Sequence, residues 1–505
     1  MMIPFEENTH SSTTDIDTAV NEQDTYDVVV VGGGINGVSM LLEACSRGLK
    51  SLLIQSDDLA EGASANPTAL VGGNLRQLED FCFADVKSNF DELAIAQQRA
   101  PHLVRPIPVL PLNNPEARSR SRLRTGIYVY NKLTNKKLKY KIAIAPQLEL
   151  LRDPSDFLGI QFTECLTKQA RMIIAIAQQA TLRGAKILPH HKVTSATRGK
   201  KLWQLGTCAK STNENSLISA RWLINCSGCF TNTFLDQTLH VKTRAKARVL
   251  VSGQLFIKAK QAWRTAAMMQ LGDKSLVSAS PFGDQICIEP IVAEDESEEA
   301  KDTAIEQVIE QWNRYFKQQL TRDNITHCRW SLTASSDSLN ESPKEITECL
   351  LDLNNPGNAA PLLSLFGLDT VKHRRFAEQG LDILEVFTDS PKIKYETEST
   401  LPGGHFPGGD IHAFTQELEL AHPYIEKTLI QRWVRTYGSQ TTKLLSEVRK
   451  LDDLGEHIGQ GLYEAEVEYL VNNEWVCDAQ SILWRRTYLG MKFSDEQITR
   501  LEARF

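Results

Sequence analysis

Three glycines with a fixed spacing mark the first place in the chain where chemistry could occur. The stretch DVVVVGGGINGVSM, residues 27–40, runs from four valines into the pattern Gly32-x-Gly34-x-x-Gly37. This pattern predicts a buried strand, a tight turn and a helix N-terminus whose free N–H groups face an anion. A diphosphate suits such a turn, so we predict a nucleotide cofactor here.

The residues after the turn complete a βαβ unit. Apolar residues recur at helical spacing as far as Cys45, Gly48 ends the helix, and SLLIQ, residues 51–55, reads as the next strand. An acid usually holds a ribose hydroxyl at the end of that strand, but this chain has Gln55. Because a neutral amide binds roughly half as strongly as a carboxylate, we expect a weaker grip on adenosine.

Length and composition limit the classes of protein that fit. A chain of 505 residues with 41% hydrophobic and 24% charged residues indicates a soluble globular protein of two or three domains. The net charge of −7 argues against nucleic acid as the main partner. No apolar run is long enough to span a membrane, and ten scattered cysteines favour a reducing compartment, the cytoplasm.

Changes in sequence pattern along the chain predict its domains. Residues 1–25 are polar and read as a disordered tail, and residues 26–395 read as the nucleotide-binding domain. Within it, KARVLVSGQLFI and SLVSASPFGDQICIEP alternate as antiparallel strands do. A Gly/Pro-rich linker follows, and residues 396–505 then read as a helical domain.

Several segments between residues 26 and 495 carry, in order, a resemblance to a known family: VVVVGGGINGV, APHLVRPIPVLPL, STLPGG, RTYGSQ, LYEAEVEYLVNNEWV and LWRRTYLGM. In these segments the chain resembles the FAD-linked, membrane-associated glycerol-3-phosphate dehydrogenases that pass electrons to quinone. It implies a mixed α/β (α+β) fold: a glutathione-reductase-like, Rossmann-type FAD-binding domain, an inserted antiparallel substrate sheet and a C-terminal helical domain. The inserted sheet would take residues of about 80–150 and 240–340. The implied reaction oxidises glycerol 3-phosphate to dihydroxyacetone phosphate on FAD.

The resemblance also implies which residues contact FAD. The chain has no second GxGxxG for a nicotinamide, so the electrons are expected to leave by another route, and the resemblance implies that quinone accepts them. The FAD positions are Gly32, Gly33, Gly34 and Gly37 at the turn, Gln55 at the ribose, Ser64 near the pyrophosphate or flavin, Val193 near the adenine, Gly228 beside the dinucleotide and Gly367 near the flavin end.

The substrate positions depart from the family pattern. Arg76, in NLRQLE, matches the family's arginine and is expected to bind the substrate phosphate. The family's histidine in Gly-Ser-His falls on Gln254, an arginine position on Thr333 and a lysine position on Asp369. If each lost charge-assisted contact is worth ~1.5 to 3 kcal/mol, two lost cations weaken phosphate binding by roughly 3 to 6 kcal/mol.

One compensation is conceivable. Lys372 follows Asp369 by three residues, one turn along a helical face, so Lys372 or His373 could supply the missing positive charge or base. A solvated basic start of a helix is the competing interpretation. No metal site is expected, because Cys226 and Cys229 lack a second pair and read as a buried structural pair.

A basic segment, residues 118–141, carries four arginines and five lysines with no acid. Its apolar residues, Leu123 to Leu133, are expected to insert into an anionic lipid surface while the cations bind the lipid head groups. This predicts peripheral attachment at the inner face of the cytoplasmic membrane. The competing interpretation is an ordinary basic surface exposed to solvent.

Three functions remain open at this point. The first is an FAD enzyme that oxidises glycerol 3-phosphate or a related alcohol, and the second is a degenerate family member with a regulatory role. The third is an active flavin oxidoreductase whose alcohol or amine substrate lacks phosphate, which would explain the lost cations. A homodimer is left open.

Overall fold

The computed structural model describes residues 25–79, 81–113, 119–134, 148–243, 245–271, 275–336, 349–386 and 399–505. For Arg76, Ser335, Ser336 and Asn358 it describes the backbone alone. The predicted tail up to residue 24 lies outside these residues, as do Arg118 and residues 135–141 of the basic segment. Within the described parts of the chain, no helix has the length and apolar character needed to cross a membrane.

The first sheet is built around the valine strand. Val28, Val29 and Val30 are fully buried, because helices or strands cover both faces of the sheet. Its strands are β1 (Thr25–Val31), β2 (Ser51–Ile54), β6 (Lys186–Leu188), β7 (His191–Arg198), β8 (Trp203–Ala209), β9 (Asn215–Asn225), β15 (Leu350–Asn354) and β16 (Leu362–Phe366). The order is β15-β16-β9-β1-β2-β6, with β16, β9, β1, β2 and β6 parallel, and β8 joining β7 to β9.

The second sheet holds the remaining long strands and is almost wholly antiparallel. They are β3 (Ala69–Val71), β4 (Val104–Pro111), β5 (Phe162–Thr167), β10 (Ala247–Lys258), β11 (Ala266–Gln270), β12 (Leu276–Phe282), β13 (Gln285–Ala293) and β14 (Ile325–Ser336), in the order β14-β10-β13-β12-β11-β4-β5-β3. The sheet curls, since Leu70 N in the edge strand β3 donates to Glu289 Oε1 of β13 at 2.7 Å. Strands β3 and β5 lie outside the two segments assigned to this sheet from sequence.

Helices cover both sheets and form the C-terminal part. The longer helices are α1 (Ile35–Ser46), α2 (Phe83–Arg99), α3 (Arg120–Leu133), α4 (Gln169–Leu182), α5 (Glu298–Tyr315), α6 (His373–Glu385), α7 (Ile411–Ala421), α8 (Lys427–Tyr437), α9 (Glu464–Glu474) and α10 (Asp495–Glu502). Helix α1 packs between α4 and α6 on the first sheet, and α5 covers the second.

The C-terminal part has its own core and a short hairpin, β17 (His457–Gly459) and β18 (Leu462–Tyr463). Trp433, Ile430 and Leu470 are fully buried in that core. The predicted fold class, an FAD-binding α/β unit with a curled antiparallel sheet and a helical C-terminal domain, is confirmed.

Buried ion pairs join the C-terminal part to the first sheet. Arg486 donates to both oxygens of Asp58, at 2.8 and 3.0 Å, and Arg171 Nη2 of α4 donates to Glu474 Oε1 at 2.7 Å. Burial opposes ionisation of Asp58, but Arg486 and Arg485 outweigh it and hold its pKa below the ordinary value. Removing one partner of such a pair leaves an uncompensated buried charge, so these pairs fix how the two parts dock.

Candidate cofactor and active site

The glycine turn is shaped by contacts too close for any side chain. A Cβ on Gly32, whose φ is +117°, would lie 2.2 Å from Cys226 O, and one on Gly37 would lie 1.8 Å from Gly32 O. Strand β1, helix α1 and the end of β9 therefore meet backbone to backbone. This is the packing that the spacing of the glycines predicted.

The first turn of α1 is open to an anion. Gly34 is its N-cap residue, and among the described residues no side chain caps the helix. A Cβ on Gly34 would lie 3.0 Å from Ser64 Oγ, so glycine leaves room between the helix start and that hydroxyl. The free N–H groups of the first turn and the Ser64 hydroxyl are suited to bind the oxygens of a diphosphate.

The predicted ribose and adenine positions lie beside this turn. Gln55 Oε1 accepts from Gly33 N–H at 2.7 Å, which places the amide at the end of β2 against the glycines. Val193 of β7 is buried in the same apolar cluster as Ile54. The structure thus brings Gln55, Gly33 and the adenine-side strand together.

The part of the site predicted to contact the flavin lies on the opposite side of α1. Asn36 Nδ2 donates to Gly367 O at 3.4 Å, whereas Asn36 Oδ1 is buried and has no partner among the described residues. Gly367 has φ +95° and Gly228 has φ +62°. An unpartnered buried acceptor beside a glycine-lined turn fits a ligand that brings hydrogen-bond donors, as an FAD molecule does.

A partly open cavity adjoins the start of α1. Ile35, Ser64, Met172, Val371 and His373 contribute to its wall, and His373 is the single titratable side chain among the described residues that line it. The cavity runs from the diphosphate end toward the residues that follow β16.

His373 is partly buried in this wall and is held by α1. Its Nδ1 lies 2.7 Å from Ser39 Oγ, which in turn donates to Ile35 O. Burial, with Arg99 and Arg374 nearby, lowers the pKa of His373 to about 3, so the imidazole is neutral near pH 7. It can orient a hydroxyl group, but it accepts a proton poorly.

Lys372 and Asp369 form the turn that begins α6. Asp369 Oδ1 accepts from the N–H groups of Val371 and Lys372, both at 2.8 Å, so the carboxylate caps the turn. Lys372 Nζ lies 3.1 Å from Asp85 Oδ1 of α2. The structure thus pairs Lys372 with an acid of another helix, and the cavity wall includes its neighbours Val371 and His373 instead.

Gln254 belongs to a buried hydrogen-bonded group on the second sheet. Its Nε2 donates to Thr68 O at 2.7 Å and to Glu289 Oε2, while its Oε1 has no partner among the described residues. Burial raises the pKa of Glu289 to about 7, against the opposing hydrogen bonds from Gln254 and Leu70. Thr333, on the neighbouring strand β14, is also buried.

A second carboxyl group, that of the partly buried Glu164, supports the glycines that precede Arg76. Tyr130 Oη donates to Glu164 Oε1 at 2.7 Å and accepts from Gly73 N at 2.7 Å. A Cβ on Gly72 would lie 2.0 Å from Glu164 Oε1, so the loop needs glycine there. Arg76 itself lies on the short helical turn Leu75–Leu78, and its side chain is outside the described residues.

Sequence reasoning missed Glu164, Glu289 and Arg329. Arg329 pairs across the strands with Gln254 and donates to Ala65 O at 2.5 Å and Gly62 O at 3.2 Å, which fixes the loop that carries Ser64. A signal was present for the two acids, because each interrupts an otherwise apolar or small-residue strand. Their partners could not be read from the sequence.

The described part of the basic segment corrects one expectation. Leu123, Ile127 and Tyr130 of α3 are buried in the protein core, and of the apolar residues expected to dip into lipid, Tyr128 alone is exposed, at 57%. The reason is that residues spaced by three and four form one face of a helix, and that face packs inward. The cations Arg122 and Arg124 remain on the exposed face.

Comparisons with known proteins cover nearly the whole chain. A family model described as FAD dependent oxidoreductase matches residues 27–344, which is more than half of the chain. A second, described as the C-terminal domain of alpha-glycerophosphate oxidase, matches residues 397–503.

Individual relatives extend over the same length. The chain is 30% identical to the aerobic glycerol-3-phosphate dehydrogenase of Escherichia coli (strain K12), over 95% of this chain and 97% of that protein. It is also 30% identical to the D-erythritol 1-phosphate dehydrogenase of Brucella abortus (strain 2308), over 92% and 95%. The fold is similar to the glycerol-3-phosphate dehydrogenase of Bacillus halodurans complexed with FAD, with a TM-score of 0.71, 19% identity, and coverage of 95% and 94%.

The close contact at Gly37 gives a direct prediction. Gly37→Ala puts a methyl group 1.8 Å from Gly32 O, which forces the turn apart, so the purified variant should carry little or no flavin. Gly126→Ala on α3 is the matched control, because no atom lies within 4 Å of its Cβ. Flavin content per chain, read from absorbance, checks both. Equal flavin content in the two variants would contradict this description of the turn.

Proposed function

Because the chain belongs to the FAD-dependent glycerol-3-phosphate dehydrogenase family, we propose that it oxidises a hydroxyl group of glycerol 3-phosphate or of a related phosphorylated polyol. It is an FAD-dependent oxidoreductase, and Gly32, Gly34, Gly37, Ser64 and Gln55 are the residues proposed to hold the cofactor. The product with glycerol 3-phosphate would be dihydroxyacetone phosphate. Quinone is the proposed acceptor of the electrons.

The observation that best supports this proposal is the set of contacts that hold the loop before Arg76. Glu164 and Tyr130 hold Gly72 and Gly73 in place, and the helical turn that bears Arg76 follows directly. An arginine guanidinium group can bind phosphate through two parallel hydrogen bonds, which would orient the substrate. Two relatives are named as dehydrogenases of phosphorylated polyols, which agrees with this role.

The proton of the substrate hydroxyl needs an acceptor as well. FAD, when bound, accepts the hydride from the substrate carbon. We assign the proton to Glu289, since a pKa of about 7 suits a general base near neutral pH, whereas His373, at about 3, does not. Gln254 Oε1, buried and without a partner among the described residues, can orient the hydroxyl group beside it.

A second candidate rests on the charges around Gln254. Gln254, Thr333 and Asp369 occupy positions where the family carries histidine, arginine and lysine, and Glu289 adds a buried carboxyl group. A substrate site with fewer cations and more acids than the family pattern disfavours a dianionic phosphate. It favours an alcohol or amine substrate without phosphate.

One experiment separates the two candidates. The purified yellow protein is mixed anaerobically with glycerol 3-phosphate, D-erythritol 1-phosphate, glycerol or a small amine, and flavin absorbance is followed. Bleaching by a phosphorylated polyol, with colour restored by a soluble quinone, is the expected result. Bleaching by glycerol or the amine alone supports the second candidate, and a flavin that no compound bleaches contradicts both.

The general base can be tested by its pH dependence. A base acts in its ionised form, so the rate of flavin reduction should rise with pH through about 7, where Glu289 loses its proton. Glu289→Gln should slow reduction by roughly 10² to 10⁴-fold and remove that inflection. Glu164→Gln is the comparison, because Glu164 also has a pKa of about 7 but bonds to Tyr130 beneath the Arg76 loop: it should weaken substrate binding and leave the inflection near pH 7 in place at saturating substrate. An unchanged profile in Glu289→Gln would rule out this base.

Attachment to the inner face of the membrane is part of the proposal. Arg122 and Arg124 lie on the exposed face of α3, and Arg122 reaches Glu79, 3.7 Å away, next to an exposed aromatic pair. That pair is Phe81 and Phe83, exposed at 77% and 41% with ring centroids 6.1 Å apart. Exposed aromatics beside cations are typical of surfaces that bind anionic lipid.

Vesicle binding tests this part separately. Replacing Arg122, Arg124 and Lys132 by glutamine should weaken binding to anionic vesicles by about 1 kcal/mol for each cation, roughly 100-fold in all. The control replaces Lys200, Lys260 and Lys443, exposed cations elsewhere, and keeps the same net charge. Equal loss in both variants would mean that α3 is not the attachment surface.

A further inference from the structure

We propose that His190, Cys477 and Asp478 form a binding site for one divalent zinc ion, outside the flavin site, where the C-terminal part meets the first sheet. The three candidate ligand atoms all lie within 4.8 Å of one another. Cys477 Sγ is 3.0 Å from His190 Nε2 and 3.9 Å from Asp478 Oδ2. One atom each of sulfur, nitrogen and oxygen therefore converges on a single point.

The set of ligands selects the type of metal. Zn²⁺ binds thiolate, imidazole and carboxylate in tetrahedral sites, whereas Ca²⁺ and Mg²⁺ prefer oxygen ligands. Cys477 is exposed and the other two residues are partly exposed, so water can supply a fourth ligand. Binding displaces the proton of the thiol and breaks its hydrogen bond to the imidazole.

Two of the ligands are already held in position. His190, in the turn between β6 and β7, donates its N–H to Asp57 O at 3.0 Å and accepts at its carbonyl from Lys210 N at 2.8 Å. Asp478 Oδ1 accepts from Ser481 N at 2.6 Å as a helix cap, which leaves Oδ2 on the side of Cys477. A metal ion would thus need little rearrangement of the backbone.

The surrounding charges permit a cation here. Arg485 and Arg486 are the basic groups that act on Cys477, and both are bound to Asp58, at 2.5 and 2.8 Å. On the side of His190, Lys210 is paired with Asp57. Arg485 Nη2 also lies 3.9 Å from Asp478 Oδ1, on the capping side of that carboxylate. Asp58, Asp478 and a Cys477 thiolate together offset the two guanidinium groups.

The position of the site gives it a structural consequence. The turn of His190 leads into His191, whose N–H donates to Gln55 O at 2.9 Å, at the proposed ribose position. Cys477 and Asp478 follow α9, whose last residue, Glu474, joins the buried ion pairs. A bound ion would tie the C-terminal part to the loop beside the adenosine end of the cofactor.

Metal titration of the intact flavoprotein tests the proposal. After chelator treatment, Co²⁺ should add one equivalent per chain with tetrahedral ligand-field bands and a thiolate charge-transfer band, and Zn²⁺ should displace it. Zn²⁺ should also raise the thermal midpoint, because a ligand that binds the folded chain stabilises it.

Variants make the test specific to these three residues. Asp478→Asn retains Oδ1 for the cap but loses the Oδ2 ligand, and His190→Gln removes the imidazole. Each should weaken Zn²⁺ binding by more than about tenfold, and Cys477→Ser should abolish the charge-transfer band. Cys229→Ser, at a partly buried free thiol elsewhere, should change none of these. No tetrahedral Co²⁺ spectrum, or the same spectrum in Cys477→Ser, would overturn the proposal and leave a thiol–imidazole hydrogen bond.

Discussion

The direct backbone contact between Gly32, Gly37 and the end of β9 is the constraint on which the rest of the molecule depends. Because no side chain separates them, α1 can begin close to the sheet and direct its unpaired N–H groups into the space that a diphosphate needs. Gln55, Asn36 and the loop of Ser64 are all arranged around that helix start. The remaining elements position a substrate against a cofactor held there.

The substrate end shows how one scaffold can change its chemistry. The loop before Arg76 depends on two glycines that pack against buried groups, Gly72 against Glu164 and Gly73 against Phe90, so its shape is tightly specified. On the same curled sheet, Gln254 and Glu289 form a hydrogen-bonded pair, at a position where the sequence resemblance implies a histidine. The scaffold thus combines an arginine loop suited to a phosphate with a neutral or acidic pair suited to an uncharged hydroxyl group, which is why two candidate substrate classes are proposed.

The sequence was sufficient for the fold and for the cofactor turn, because the glycine spacing and the βαβ unit are local patterns. It was insufficient for the buried polar groups, since their partners are distant along the chain: 34 residues for Tyr130 and Glu164, 35 for Gln254 and Glu289, and 428 for Asp58 and Arg486. The spacing of Leu123, Ile127 and Tyr130 was visible, but it marked the inward face of α3 rather than a lipid-binding face. His190 and Cys477 are 287 residues apart and meet only after folding, so their proximity could not be read from the sequence.

The most direct test of the central claim is calorimetric titration of the flavin-free protein with FAD and, separately, with FMN, which lacks the adenosine monophosphate part and so carries a single phosphate in place of the diphosphate. If the glycine turn binds the diphosphate, one FAD should bind per chain, and FMN should bind far more weakly or not at all. Equal affinity for FMN and FAD, or no uptake of FAD by the folded protein, would contradict the account.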